Sequence, residues 1–233
     1  MGRSEVPPRH GGGKELERLE LFSDAVFAIA ITLLVLELKV PEAEAVRAAG
    51  GLGKALIGEI PRFYAYFIGF ILIGNYWILH HRMFRCLRRC DEGLVALNLL
   101  LLLFVAFLPF PVALFGAWRR DPVGIGGYIL SMAATGASLN LLWGYAVARR
   151  RLVAPDLDDR VVRFMWFRTA VVPLVFMVSL PFAFVSPLWM TFSLGALAPI
   201  LRFFGRRLER AARAAESPAV EPPMPAPAPR SVG

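Results

Sequence analysis

Residues 18–41 read Arg18-Leu-Glu-Leu-Phe-Ser-Asp-Ala-Val-Phe-Ala-Ile-Ala-Ile-Thr-Leu-Leu-Val-Leu-Glu-Leu-Lys-Val-Pro41, and this stretch decides how the chain folds. It is an apolar run fit for a membrane helix, yet it carries an Asp and a Thr inside it. A carboxylate at that depth costs several kcal/mol unless it is paired, so Asp24 is expected to face protein rather than lipid. Only 12 uncharged residues separate Asp24 from Glu37, and about 20 are needed to cross the hydrocarbon. The helix is therefore expected inside a bundle, shielded by neighbours.

The rest of the chain supplies those neighbours. Of its 233 residues 57% are hydrophobic, and Phe alone accounts for 18. The mean hydropathy of +0.55 lies well above that of an ordinary soluble domain. Six windows are apolar enough to span: 18–40, 55–79, 93–117, 122–148, 161–185 and 187–204. The last two are separated by Ser186 and Pro187 and read as a tight helical hairpin. The expected fold is an all-α integral membrane protein with six transmembrane helices in residues 14–210. Residues 1–13 and the Pro/Ala-rich tail 211–233 are too polar or proline-dense to pack and are expected to be disordered.

The net charge of +8 is a matter of topology rather than of nucleic-acid binding. Nineteen of the 26 Lys and Arg residues fall in the N-terminus, the second-to-third connection, the fourth-to-fifth connection and the C-terminus; six lie on the opposite side and Arg168 within a span. The positive-inside rule places both termini in the cytoplasm, and attraction to anionic lipid head groups follows from the same bias. A cleaved leader is not expected, because Glu37, Lys39 and Glu42 would lie just before the Ala43-Glu-Ala45 site. Cys86 and Cys90 fall on the cytoplasmic side and are expected as reduced thiols. No ligand set for a metal is complete around them, with His80 and His81 as the only nearby candidates.

At about 100° per residue, Ile29, Thr32, Leu33 and Leu36 share one stripe of the first helix, extended toward the cytoplasm by Phe22 and Val26. Asp24 lies about 140° from Ile29 around the same helix. The stripe therefore faces something other than the partner of Asp24: a copy of itself across an axis, the core, or lipid. Packing in the core is one reading. Apolar collars in a pore, with Thr32 offering a hydroxyl to a passing cation, is the other. Arg168, Arg18 and His80 are the candidate partners for Asp24. Asn98 in the third window is expected to seek a hydrogen bond between helices, and Pro109 and Pro111 to kink the outer half of that helix. Pro173 and Pro181 suggest bends in the fifth.

The spacing Arg18, Phe22-Ser23-Asp24 and Thr32 resembles the endolysosomal potassium-channel family called transmembrane protein 175, in particular its short prokaryotic members. The Trp77, His80, Phe84 pattern and the run from Asn98-Leu99 to Leu108-Pro-Phe-Pro111 resemble the second and third helices of that family. The resemblance covers residues 18 to about 111; the later windows agree only in number and polarity. It implies a potassium-preferring cation channel in the cell inner membrane, with six helices per subunit, assembled as a homotetramer around the first helices. Under it Ile29, Leu33 and Leu36 form the hydrophobic gate and Thr32 belongs to the selectivity layer. Arg18, Ser23, Asp24, Trp77 and His80 form the structural network, to which the reading of the residues themselves adds Phe22, Asn98 and Arg168. Potassium is then the permeant ion, the bilayer and a second copy of the chain are the partners, and no cofactor is implied.

Other classes fit less well. There is no Thr-Val-Gly-Tyr-Gly filter and no voltage-sensing helix with regularly spaced arginines. A secondary transporter is the alternative; it predicts an inverted repeat or ionisable groups clustered at the midplane, and the sequence has neither. An enzyme is not expected, because no nucleophile pair or carboxylate pair falls within a span.

Overall fold

The computed structural model describes residues 12–118 and 120–185. The sixth window, the N-terminal eleven residues and the C-terminal tail lie outside the described residues. Within them the chain is helical, in the order α1 (Gly12–Leu33), a 3₁₀ turn (Leu34–Glu37), α2 (Ala43–Ala49), α3 (Leu52–Arg85), α4 (Glu92–Phe107), α5 (Pro109–Ala117), α6 (Pro122–Val147) and, after a 3₁₀ turn at Ala148–Arg150, α7 (Asp159–Val185). Five segments are long and apolar enough to cross a membrane, α4 and α5 together forming one of them. Helix α1 begins at Gly12, so Gly12 and Gly13 join the helix rather than the N-terminal segment.

Local chemistry fixes the boundaries. Asp91 caps α4, its Oδ1 accepting from the Leu94 N–H at 2.8 Å. Asp121 caps α6 in the same way, accepting from Val123 at 2.8 Å, with Pro122 in the first turn where a missing N–H costs nothing. Gly50 ends α2 at φ 75°, in the left-handed region that a glycine enters without penalty. The expected proline kink in the third span is a break: α4 stops at Phe107, Leu108 acts as the pivot, and α5 restarts at Pro109. Helix α3 runs for 34 residues, about 50 Å at the standard rise, and so exceeds the roughly 30 Å hydrocarbon thickness.

Helix α6 sits at the centre. It packs on α4, α5 and most extensively on α7. Ile125, Ile129, Met132, Leu139, Leu142 and Trp143 are fully enclosed there. Small residues allow this approach, as expected where lipid gives no hydrophobic drive and helices associate by close packing. A Cβ at Gly136 would fall 2.7 Å from Pro173 Cδ, so α6 and α7 meet at that glycine.

On the basic side, the α3–α4 and α6–α7 connections are tied together. Arg88 donates its N–H to Leu152 O at 2.8 Å and Ala154 donates to Cys86 O at 3.1 Å, around a β-bridge between Leu87 and Val153. Asp91 also accepts from the Tyr145 hydroxyl at 3.0 Å and pairs with Arg151. Burial opposes ionisation of Asp91, but the Leu94 N–H, the Tyr145 hydroxyl and the Arg151 guanidinium together hold its carboxyl below the usual range.

Candidate functional site

Helix α1 has two unlike sides. Leu19, Ser23, Phe27 and Ala30, continued by Leu34 in the 3₁₀ turn, recur at spacings of four, four, three and four and are buried, the helix packing on α3 and α4 and the turn on α3 and α5. On the other side Phe22, Ile29, Thr32, Leu33 and Leu36 are exposed, Ile29 at 58% and Leu36 at 68%. The helix expected inside a bundle is covered on one side by the described residues of its own subunit, the side opposite the Ile/Thr/Leu stripe. The Ile/Thr/Leu stripe is not wedged into the subunit core.

The buried side is held by polar groups. Ser23 Oγ donates to Leu19 O at 2.7 Å, within the helix. The Asn98 amide nitrogen donates to Ser23 Oγ at 2.9 Å, bringing α4 onto α1. That orientation turns Asn98 Oδ1 toward His80 Nε2, 2.9 Å away, which makes Nε2 the donor and adds α3 to the group. Ser23, His80 and Asn98 are each fully buried. The rings of Phe84 and Phe27 flank His80 at 4.1 and 5.5 Å between centroids. Three helices thus share one chain of hydrogen bonds where unpaired polar atoms would be costly.

Asp24 has a partner other than the cations considered for it on sequence grounds. Trp77 Nε1 donates to Asp24 Oδ1 at 2.8 Å. Among the described residues no Lys or Arg lies within 4 Å of the Asp24 carboxylate. The indole is a donor only, so it satisfies a carboxylate at the rim of the bundle without a second charge. Arg168 lies on α7 with its guanidinium 5.9 Å from the Phe164 ring centroid. Arg18 is exposed near the start of α1 and forms no ion pair among the described residues.

Thr32 donates its hydroxyl proton to Ile29 O at 2.9 Å, three residues back. This leaves the oxygen lone pairs free to accept a hydrogen bond or meet a cation on the exposed side. Past Leu33 the backbone tightens to a 3₁₀ turn. With three residues per turn Leu36 falls in line with Leu33, which continues the stripe beyond the end of the α-helix.

One pair escaped the sequence reading. Glu20 Oε1 lies 3.2 Å from His81 Nδ1, and the His81 ring stacks on Trp77 at 5.7 Å. The signal was available: Glu20 precedes Asp24 by four residues and His81 follows Trp77 by four, the spacing of neighbours on a helix.

Residues 18–109 match the family described as endosomal/lysosomal potassium channel TMEM175. A potassium channel of Streptomyces collinus is 38% identical over 176 residues, covering 74% of this chain and 84% of the relative. A potassium channel of Chamaesiphon minutus is 35% identical over 196 residues, covering 83% and 95%. The crystal structure of a lysosomal potassium-selective channel TMEM175 homologue from Chamaesiphon minutus superposes with a TM-score of 0.72 at 32% identity, over 84% of this chain and 98% of that one.

Proposed function

The chain belongs to the TMEM175 family, and from that premise we propose that it is a potassium-preferring cation channel whose pore is lined by α1 of several subunits. The observation that carries this reading is the exposure of Ile29, Thr32, Leu33 and Leu36 on one side of a helix whose other side is fixed by Ser23, Asn98 and His80. A pore helix needs both: a rigid back that sets its rotation, and a front left free for copies of itself.

In this reading Ile29, Leu33 and Leu36 form apolar collars. A ring of such side chains sheds water, so an ion must lose part of its hydration to pass, and a narrow collar closes the path without a moving plug. Thr32 lies between Ile29 and Leu33, and its hydroxyl oxygens supply a polar ring in place of the lost water. With no carbonyl filter, preference for potassium rests on that ring and on the lower cost of partly dehydrating the larger ion. The protein is a multi-pass membrane protein. The bias of basic residues supports cytoplasmic termini in the plasma membrane, and a count of four subunits follows the family resemblance.

The test is potassium flux in proteoliposomes under a potassium gradient. Passive current at rates far above carrier turnover, with potassium favoured over sodium, is the expected result. Slow, saturable flux that requires a coupled solute would replace this reading with a secondary transporter.

A further inference from the structure

Two adjoining cavities open at the end of the bundle opposite the basic connections. One, of about 280 Å³, lies among the 3₁₀ turn, α3 and α5; the other, of about 430 Å³, lies between α2 and α3. Lys39 and Arg62 line both, so the two share a wall.

Their depth follows from α3. Arg62 and Arg82 are 20 residues apart, with no Asp, Glu, Lys or Arg between them. At the helical rise this is about 30 Å, the thickness of the hydrocarbon layer. With Arg82 at one edge of that layer, Arg62 stands at the other, level with the lipid head groups. Trp118, which lines the smaller cavity and is mostly exposed, is of the residue type that settles at this level.

The lining has two zones. The cations Lys39, Lys54 and Arg62 are interleaved with the carboxylates Glu37, Glu42 and Glu59, three of each. Arg62 Nη1 donates to Glu59 Oε2 at 2.6 Å, which occupies one arm of the guanidinium and leaves the other donors available. Toward the middle of the bilayer, Leu34, Ala65, Phe110, Val112 and Leu114 give the smaller cavity an apolar wall. A lone anion would meet the carboxylates and a lone cation the basic groups. A molecule carrying both signs and an apolar tail matches both zones. Carboxylates only accept hydrogen bonds, so a primary ammonium, which donates, suits them better than a quaternary one.

We propose that this recess binds a zwitterionic phospholipid with a primary ammonium head group, such as phosphatidylethanolamine. Its phosphate lies against Arg62 and Lys39, its ammonium among Glu37, Glu42 and Glu59, and an acyl chain along Phe110 and Leu114. The bound lipid joins the 3₁₀ turn to α3 and α5, and so stabilises the fold whether or not the protein conducts.

The test is thermal unfolding of delipidated protein in detergent, with mixed micelles of phosphatidylethanolamine, phosphatidylcholine or phosphatidylglycerol, or with soluble phosphoethanolamine. At about ten times its dissociation constant, phosphatidylethanolamine is expected to raise the midpoint by about 3–6 °C. The other two lipids give smaller shifts. Lys39→Gln and Arg62→Gln each weaken the apparent affinity about tenfold, the loss of one charge-assisted hydrogen bond. Arg62→Gln also breaks the pair with Glu59. Lys39 is exposed and forms no ion pair among the described residues, so Lys39→Gln keeps the comparison open if Arg62→Gln fails to fold. Ala113→Phe fills the smaller cavity and removes the shift. Equal shifts from all three lipids, or a shift that survives both Lys39→Gln and Ala113→Phe, overturn the site. A shift from soluble phosphoethanolamine as large as that from the lipid overturns the lipid as its ligand.

Discussion

Helices α1 and α6 differ in a way that runs against intuition drawn from soluble proteins. The more apolar of the two, α1, is buried along under a third of its most apolar stretch, whereas α6 is buried along well over half of its own. In water the greasier helix would be the core. In a bilayer, lipid and protein are similarly apolar, so hydropathy stops sorting helices and close packing takes over. Helix α6 holds five glycines, at 124, 126, 127, 136 and 144, along with Ser131, Thr135 and Ser138, and sits at the centre. Helix α1 presents Ile, Leu and Phe on a face that the described residues leave exposed. Helix α6 is suited to close packing by its small residues, whereas α1 leaves a large apolar face exposed among the described residues.

The largest expected break in this contrast is Gly136→Val. The new side chain would collide with Pro173, and overpacking at the α6–α7 contact lowers stability by about 2–3 kcal/mol, read as thermal unfolding of the detergent-solubilised protein. Ile29→Asn is the opposite case. It leaves unfolding near wild type, because more than half of the side chain is exposed among the described residues, and raises potassium flux about tenfold, a barrier change of about 1.4 kcal/mol. Equal destabilisation by the two substitutions would erase the distinction between the helices.

A smaller effect is expected at Asp91, which joins the start of α4 to the end of α6. Asp91→Ala removes a helix cap and costs about 1 kcal/mol in the same unfolding measurement. Because the folded state lowers the Asp91 carboxyl, its stabilising share is complete above about pH 4, its ordinary range, and is lost as pH falls through the lower folded value. The acid limb of the wild-type stability profile should therefore be shallower in the variant. The smallest expected change is Thr32→Ala. It weakens potassium preference over sodium by about two- to threefold, under 1 kcal/mol, read from the reversal potential. An unchanged reversal potential would confine Thr32 to its backbone contact with Ile29.

Much of the architecture was legible in the residues because it depends on local period and length. The five described spans and the two-sided pattern of α1 follow from spacing and from the cost of unpaired polar groups. Other features were not legible, since each depends on which helices touch. The proline run at 109–111 announced a bend, but where α4 would stop and α5 resume was set by Leu108 and its neighbours. Charge suggested a cation for Asp24, yet its partner is the Trp77 indole, whose polarity hydropathy does not register. The Glu20–His81 contact exists only because α1 packs against α3.

The sequence by itself determined a helical membrane protein and a first helix with unlike faces, because backbone hydrogen bonding in lipid and a period of 3.6 residues leave no other way to arrange these side chains. Only the tertiary structure decided which face α1 turns inward. Asn98 bonds Ser23 on one side and His80 on the other only when α4 and α3 converge on α1, and that convergence is what leaves Ile29, Thr32, Leu33 and Leu36 facing outward.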